Sequence, residues 1–313
     1  MPQTTILLGD AMDGLRQINA GAVQCCVSSP PYYAQRDYGV PGQIGLEDTP
    51  DEFADKLVEV FREVRRTLAD DGVLFLNLGD TYAASSGKGF QGASGERASR
   101  AFTATSRKPT RGAKPKDLLG IPWLVAFALR SDGWFLRSDI IWQKTSCMPE
   151  SVKDRPTRSH EHVFLFAKSP DYFYDAAAIR QPAVQKPQRR GVKHKQRVIP
   201  GQPTHGLTAC EQRSDAGLDS DGTRNMRDVL TISPTPFRGA HHACMPTTLA
   251  DICVRAGSRP GDLVLDPFLG AATTALAANR IGREAVGCEL NPEDAEISVR
   301  RLAKEGYRAD IFE

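Results

Sequence analysis

Two short runs in this chain combine residue types that do chemistry at fixed spacing. The first is Ser29-Pro30-Pro31-Tyr32, which directly follows the apolar stretch AVQCCVS at residues 22–28. Consecutive prolines fix φ and hold the preceding residue extended. They also remove two N–H donors, so carbonyl oxygens stand as a rigid wall beside the Ser29 hydroxyl. Such a wall suits a planar amino group that donates hydrogen bonds, and Tyr32 adds a flat face on which a ring can stack. A proline turn that merely ends a strand is the plain alternative for a bare tetrapeptide.

The second run is Asp266-Pro267-Phe268-Leu269-Gly270-Ala271-Ala272-Thr273-Thr274, again after an apolar stretch, with Glu289 following in Gly287-Cys288-Glu289-Leu290-Asn291. An acidic residue about 20 positions beyond a Gly-containing strand-to-helix turn is what a ribose diol needs. The full GxGxxG is missing, so a pyrophosphate cradle is not supported and a nucleoside without phosphates fits better. A βαβ unit with a tight turn and no ligand is the alternative here.

Both runs require a frame. Apolar runs at 4–8, 22–28, 73–78, 135–142, 162–167, 263–265 and 282–289 read as strands. Thr49-Pro50-Asp51-Glu52 is a capping box with proline in the first turn, and Phe53, Leu57, Val60, Phe61, Val64 and Leu68 follow at helical spacing. Further helices are expected over 118–129, 246–256 and from Asn291 to about residue 304. Strand, helix, strand with apolar strands describes a parallel sheet covered by helices, and 135–142 and 162–167 are close enough to pair antiparallel.

The 313 residues are 40% apolar and 25% charged, which excludes a fibrous, collagen-like or wholly disordered chain. No apolar run reaches 18 residues, so no transmembrane helix is expected. The first residues carry Asp10 and Asp13 and lack a basic-then-apolar pattern, so no signal peptide is expected. Seven scattered cysteines without a CxxC argue against zinc and a disulfide framework and fit a reducing cytoplasm. His160, Glu161, His162, His241 and His242 lack a third ligand at metal spacing, so no metal is expected.

Together the two runs resemble the DNA amino-methyltransferases. In that family (Asp/Asn/Ser)-Pro-Pro-(Tyr/Phe/Trp) holds the target amine and a DPFxGxGTT-type turn binds S-adenosylmethionine. The catalytic run precedes the cofactor run with a variable insert between them, similar to the permuted β group and its phage, prophage or orphan bacterial members. The resemblance implies a Rossmann-like methyltransferase fold: a mixed, mostly parallel seven-stranded sheet with helices on both faces. It implies a catalytic domain over 1–181 and 241–313, with a mobile basic loop at 83–117, and a target-recognition insert over 182–240.

Residue by residue, the resemblance makes Ser29, Pro30, Pro31 and Tyr32 catalytic. It assigns S-adenosylmethionine to Asp10 and Ala11, to His241, Ala243 and Pro246, to Asp266, Pro267, Phe268, Gly270, Thr273 and Thr274, and to Glu289, Leu290 and Asn291. Segments 139–144 and His160-Glu161 match sheet-edge motifs. One departure stands out: the family has Gly-Ser-Gly or Gly-Thr-Gly where this chain has Gly270-Ala271-Ala272, and a missing glycine restricts φ. Weaker or slightly rearranged cofactor binding is the expectation.

The expected substrate is double-stranded DNA with its target base flipped into the pocket. Within the family Ser at the first position leans toward N4 of cytosine, but the phage-type resemblance and the commoner bacterial product lean narrowly to N6 of adenine, which is the expectation adopted. N4 of cytosine is the alternative, and a catalytically silent DNA-binding regulator is the alternative class. A protein glutamine methyltransferase is disfavoured because its Xaa-Pro-Pro-Tyr follows the cofactor turn. The family also implies a homodimer.

The near-neutral charge of +2 hides two basic stretches. Residues 88–116 hold eight basic side chains against one acid, and 186–197 hold six with none, so the rest of the chain sums to −11. Lys88, Arg107, Lys108 and Arg111 from the first stretch are expected to contact DNA phosphates, as are Lys186, Arg189, Arg190, Lys193, Lys195 and Arg197 from the second. Tyr33 and Arg36, just past the catalytic run, are expected to join them.

Overall fold

Every apolar run predicted as a strand is a strand in the computed structural model, which describes residues 2–83, 113–147, 149–182, 222–234 and 245–313. The chain divides into two compact units, Met1–Asp175 with Asp228–Glu313, and Ala176–Arg227. In the larger unit the order begins β1 (Gln3–Leu8), α1 (Ala11–Gln17), β2 (Val23–Ser28), α2 (Pro50–Thr67), β3 (Leu68–Leu78). It continues α3 (Ile121–Ser131), β4 (Phe135–Lys144), β5 (His160–Ala167). In the smaller unit, β6 (Gln181–Pro182) and β7 (Thr223–Arg224) pair antiparallel. The larger unit resumes with β8 (Val229–Ile232), α4 (Thr247–Gly257), β9 (Leu263–Asp266), α5 (Thr273–Arg280), β10 (Glu284–Glu289), α6 (Pro292–Lys304) and β11 (Arg308–Phe312).

The main sheet has nine strands among the described residues, in the order β11-β1-β10-β9-β2-β3-β5-β4-β8, rather than the seven expected. The two additional strands are its edges. Val229–Ile232 has four residues with one buried, and Arg308–Phe312 has none buried, so neither shows the apolar run by which a buried strand is recognised. Helix α1 also escaped the sequence reading, because AMDGLRQ is short and interrupted by Gly14. All neighbours run parallel except that β5 is antiparallel to both β3 and β4. That pairing is the one predicted for 135–142 and 162–167. Of residues 182–240, 229–232 belong to the main sheet as β8, beside β4.

The central strands are apolar because both faces are covered: all six residues of β2 are buried. The capping box of α2 is formed, with Glu52 N donating to Thr49 Oγ1 at 3.1 Å and Thr49 N to Glu52 Oε2 at 3.3 Å. Its Phe53, Leu57, Val60, Phe61 and Val64 face the core. No described helix is long and apolar enough to cross a membrane. The connection β2–α2–β3 steps one way along the sheet and β9–α5–β10 the other. The crevice between the ends of β2 and β9 is therefore a topological switch point, where open α/β sheets bind ligands.

Candidate active site

Because β2 and β9 are parallel neighbours, with Cys26 opposite Leu265, their carboxyl ends bring the two runs together across 238 positions of sequence. Ser28 Oγ donates to Asp266 Oδ1 at 2.7 Å. Thr274 Oγ1 lies 2.9 Å from Asp266 Oδ2 and 3.0 Å from the Val27 carbonyl, and the Phe268 N–H reaches Oδ1 at 3.1 Å. Asp266 thus clamps one turn to the other. Burial pushes its carboxyl up to about 7, and the Glu289 charge adds to that, while the bonds from Ser28, Phe268 and Thr274 pull the other way.

The cofactor-side turn is built from backbone. Gly270 (φ +51°) and Ala272 (φ +55°) are both left-handed, which aims the Gly270 N–H at Glu289 Oε2, 2.8 Å away. Asn291 N–H holds the other oxygen at 2.9 Å. Burial raises the Glu289 pKa despite these two donors. From behind, Arg301 Nη1 donates to the Ala271 carbonyl (2.6 Å) and to Thr273 Oγ1 (2.9 Å), and Ser298 Oγ donates to the Gly270 carbonyl. Asp10, at the end of β1, caps α1 by accepting from Met12 N at 2.8 Å, directly ahead of Ala11. Asn291 caps α6 in the same manner, and Pro246 stands at the start of α4.

Asp10, Ala11, Asp266, Gly270, Thr274, Glu289 and Asn291 line a cleft of about 860 Å³ that also takes in Pro267, Phe268, Leu290, Thr273 and the whole Ser29–Tyr32 run. Pro246 stands one residue beyond Met245, which lines the cleft too. His241 and Ala243 lie outside the described residues, as do Lys88, Arg107, Lys108, Arg111, Lys186, Arg189, Arg190, Lys193, Lys195 and Arg197. The donor set fits S-adenosylmethionine. Each Glu289 oxygen accepts one backbone N–H and has a further lone pair that would accept from a ribose hydroxyl, and Asp10 and Asp266 line the same cleft, where carboxylate charge would suit a sulfonium cation.

The other half of the cleft is built from side chains. Tyr32 Oη donates to Glu161 Oε2 at 2.7 Å and lies 3.3 Å from Ser29 Oγ. Asn77 Nδ2 reaches Tyr32 Oη (2.8 Å), Glu161 Oε2 (3.0 Å) and Ser29 Oγ (3.3 Å), and Lys144 Nζ donates to Glu161 Oε1. Burial, then the neighbouring Glu161 charge, raises the Tyr32 phenol well above its usual pKa, so it remains a donor. Gly79 is required by close approach: a Cβ there would stand 2.6 Å from Tyr32 Cε2. Asn77, 2% exposed, keeps its Oδ1 without a partner among the described residues, a buried acceptor in the cleft wall.

Sequence reasoning placed Glu161 and Lys144 in edge motifs without a role, and it missed Asn77 and Gly79. The available signal was Asn77 itself, the lone polar residue in VLFLNL. Tyr33, expected to contact DNA, is instead 3% exposed. Its ring packs on Phe53 with centroids 5.6 Å apart, and its hydroxyl donates to the Asp48 carbonyl. Arg36 does line the cleft, where it hydrogen bonds Tyr38.

The DNA methylase family matches residues 23–300. The chain is 43% identical over 301 residues to the Type II methyltransferase M.Cfr9I of Citrobacter freundii, covering 96% of this chain and 88% of that one. It is 44% identical over 309 residues to the Type II methyltransferase M.XycI of Xanthomonas campestris pv. cyanopsidis, covering 99% and 90%. Among solved structures, a Thermus thermophilus protein described as a DNA modification methylase, complexed with S-adenosyl-L-methionine, superposes with a TM-score of 0.59. The two are 25% identical, over 99% of this chain and 100% of that one.

Proposed function

The chain belongs to the DNA methylase family, and from that premise we propose that it methylates N4 of a cytosine flipped out of double-stranded DNA. It is an S-adenosylmethionine-dependent DNA methyltransferase. When bound, S-adenosylmethionine supplies an electrophilic sulfonium methyl group. The observation that carries the reading is the Ser28–Asp266 bond, which locks the amine-binding run against the cofactor turn at the switch point of the sheet.

An exocyclic amine is conjugated with its ring and weakly nucleophilic. Acceptance of its hydrogens by Ser29 Oγ and the Pro30 carbonyl favours a tetrahedral nitrogen with its lone pair free for in-line attack. This is catalysis by orientation and electrostatics rather than through a covalent enzyme intermediate. Tyr32 stacks on the base, and Glu289 takes the ribose hydroxyls.

Cytosine is favoured by the donors beside the amine site. Along its Watson–Crick edge cytosine presents two acceptors beyond the amine, N3 and O2, whereas adenine presents only N1 there. Lys144 has three N–H groups of which Glu161 takes one, and its ammonium also sits 4.8 Å from the Trp142 ring at the cleft wall. DNA phosphates fall to the basic segments 88–116 and 186–197, sequence reading to the part of 182–240 outside β8, and the motif order to the permuted group.

Nucleoside mass spectrometry of plasmid DNA incubated with enzyme and labelled cofactor tests the reading. N4-methylcytosine is expected. N6-methyladenine in its place would overturn the base assignment alone, and unlabelled DNA would overturn methyl transfer itself.

A further inference from the structure

Methylation of an exocyclic amine leaves the nitrogen with one hydrogen too many, and the Ser-Pro-Pro-Tyr run contains no base to remove it. The structure holds a route for that proton. Ser29 Oγ donates to Tyr32 Oη at 3.3 Å and Tyr32 Oη donates to Glu161 Oε2 at 2.7 Å, so both hydroxyls already point their hydrogens along one line. The Ser29 oxygen is left to accept from the amine. At the far end, Tyr32, Asn77 and Lys144 converge as three donors on the two Glu161 oxygens, which is the surrounding of an ionised carboxylate. Among the described residues Glu161 is the carboxylate hydrogen-bonded to this cluster, whereas Asp266 and Glu289 are engaged on the cofactor side.

We propose that Glu161 accepts the proton lost by the target amine, relayed through the Ser29 and Tyr32 hydroxyls. This rests on the methyl-transfer reading above. In the step the amine nitrogen forms its bond to the methyl carbon as the S–CH3 bond breaks, and the sulfonium becomes a neutral thioether. One amine proton passes to Ser29 Oγ, the Ser29 proton passes to Tyr32 Oη, and the Tyr32 proton passes to Glu161. Both hydroxyls are neutral again, the base is a neutral N-methyl amine, and Glu161 is a carboxylic acid that returns its proton to water between turnovers. The negative charge 2.7 Å beyond Tyr32 also favours the positive nitrogen as it forms.

Among the described residues, the charged and titratable groups that hydrogen bond Glu161 are Lys144 from β4 and Tyr32 from the turn after β2. Asn77 of β3 adds a neutral donor, and Trp142 lies opposite in the β4–β5 register. Lys144 therefore holds the acceptor by its Oε1, and Tyr32 transmits to its Oε2.

The test is single-turnover methyl transfer against pH, with calorimetry of cofactor binding and 2-aminopurine fluorescence for base flipping measured beside it. Glu161→Gln is expected to slow transfer about 100-fold or more, within the range of general base catalysis, and to lose the acidic limb of the pH profile. Cofactor affinity and flipping stay as in the wild type. Glu161→Asp restores part of the rate and the limb. Tyr32→Phe, which keeps the ring and cuts the relay, loses the same limb, and the double variant is no slower than the worse single one. If Glu161→Gln does not fold, Tyr32→Phe carries the same reading. Wild-type transfer rates in these variants would overturn the relay, as would slow transfer that keeps its acidic limb, which marks a residue that only positions Tyr32. A wild-type enzyme that transfers no methyl to DNA would instead overturn the function beneath it.

Discussion

The two halves of the cleft solve their binding problems with different materials. The cofactor half uses backbone: both Glu289 oxygens are held by main-chain N–H groups, from Gly270 and Asn291, and Asp10 is held by Met12 N. The base half uses side chains from separate elements, with Tyr32, Asn77, Lys144 and Glu161 contributed by the turn after β2 and by β3, β4 and β5. A backbone-built site tolerates substitution around it and fails when the one side chain it presents is removed. A side-chain network shares its function among members and fails at any of them.

That contrast makes its largest prediction at Glu289. Glu289→Ala removes the acceptor offered to a ribose diol and frees the Gly270 and Asn291 N–H groups. With hydrogen bonds to a charged group contributing about 1.5–3 kcal/mol each, the cofactor Kd is expected to rise about 100-fold by calorimetry. Asn77→Leu, in the other half, is expected to leave that Kd unchanged while methyl transfer collapses. Should Asn77→Leu weaken the cofactor as much as Glu289→Ala does, the two halves are one energetic unit and the distinction fails.

The same contrast explains what was legible in the sequence. The 266–274 turn, Glu289 and Asn291 lie within 26 positions, and their placement at one cleft follows from turn and cap chemistry that local sequence encodes. Ser29 and Tyr32 were legible for the same reason. Glu161 was not, because its meaning depends on an antiparallel register that sets it against Trp142 in β4 and brings Lys144 to it across the hairpin. A shift of one residue would have turned Glu161 to the opposite face of the sheet. Tyr33 shows the converse error: it adjoins the catalytic run in sequence, yet it points away from it into the core on Phe53. The sheet edges β8 and β11 were hidden because a mostly exposed strand need not be apolar.

A smaller effect comes from the clamp between the halves. The Asp266 carboxyl sits at about 7 in the folded chain, against an unfolded value near 3.8, because of burial. The folded state therefore holds the proton more tightly, and the stability this gives is complete below the unfolded value and lost as pH rises toward 7. Glu289, also raised by burial, acts in the same direction. Apo protein should melt a few degrees lower at pH 8 than at pH 5. Asp266→Asn should flatten that slope whatever its own stability. Binding a sulfonium cation favours the ionised carboxylate, so cofactor binding near pH 7 should release protons, seen as a calorimetric enthalpy that depends on the buffer. A slope of equal steepness in Asp266→Asn would assign the pH dependence elsewhere.

The smallest effect concerns Ala272, where the family motif has glycine. Ala272 itself takes the left-handed conformation, φ +55°, with its methyl group fully buried, and α5 begins on the next residue. A left-handed alanine costs about 1–2 kcal/mol, and burying one methyl group returns about 0.8 kcal/mol. Ala272→Gly exchanges one for the other and adds the backbone entropy of glycine, so its net change in stability should stay within about 1 kcal/mol, a Tm shift of under about 4 °C. Ala272→Val carries the strain of a β-branched side chain into the same left-handed position without room to expand, and should lose more than about 2 kcal/mol. If glycine at 272 instead destabilised the protein as much as valine does, the alanine methyl would be holding the cofactor turn by packing. The backbone-built half of the cleft would then depend on a side chain after all.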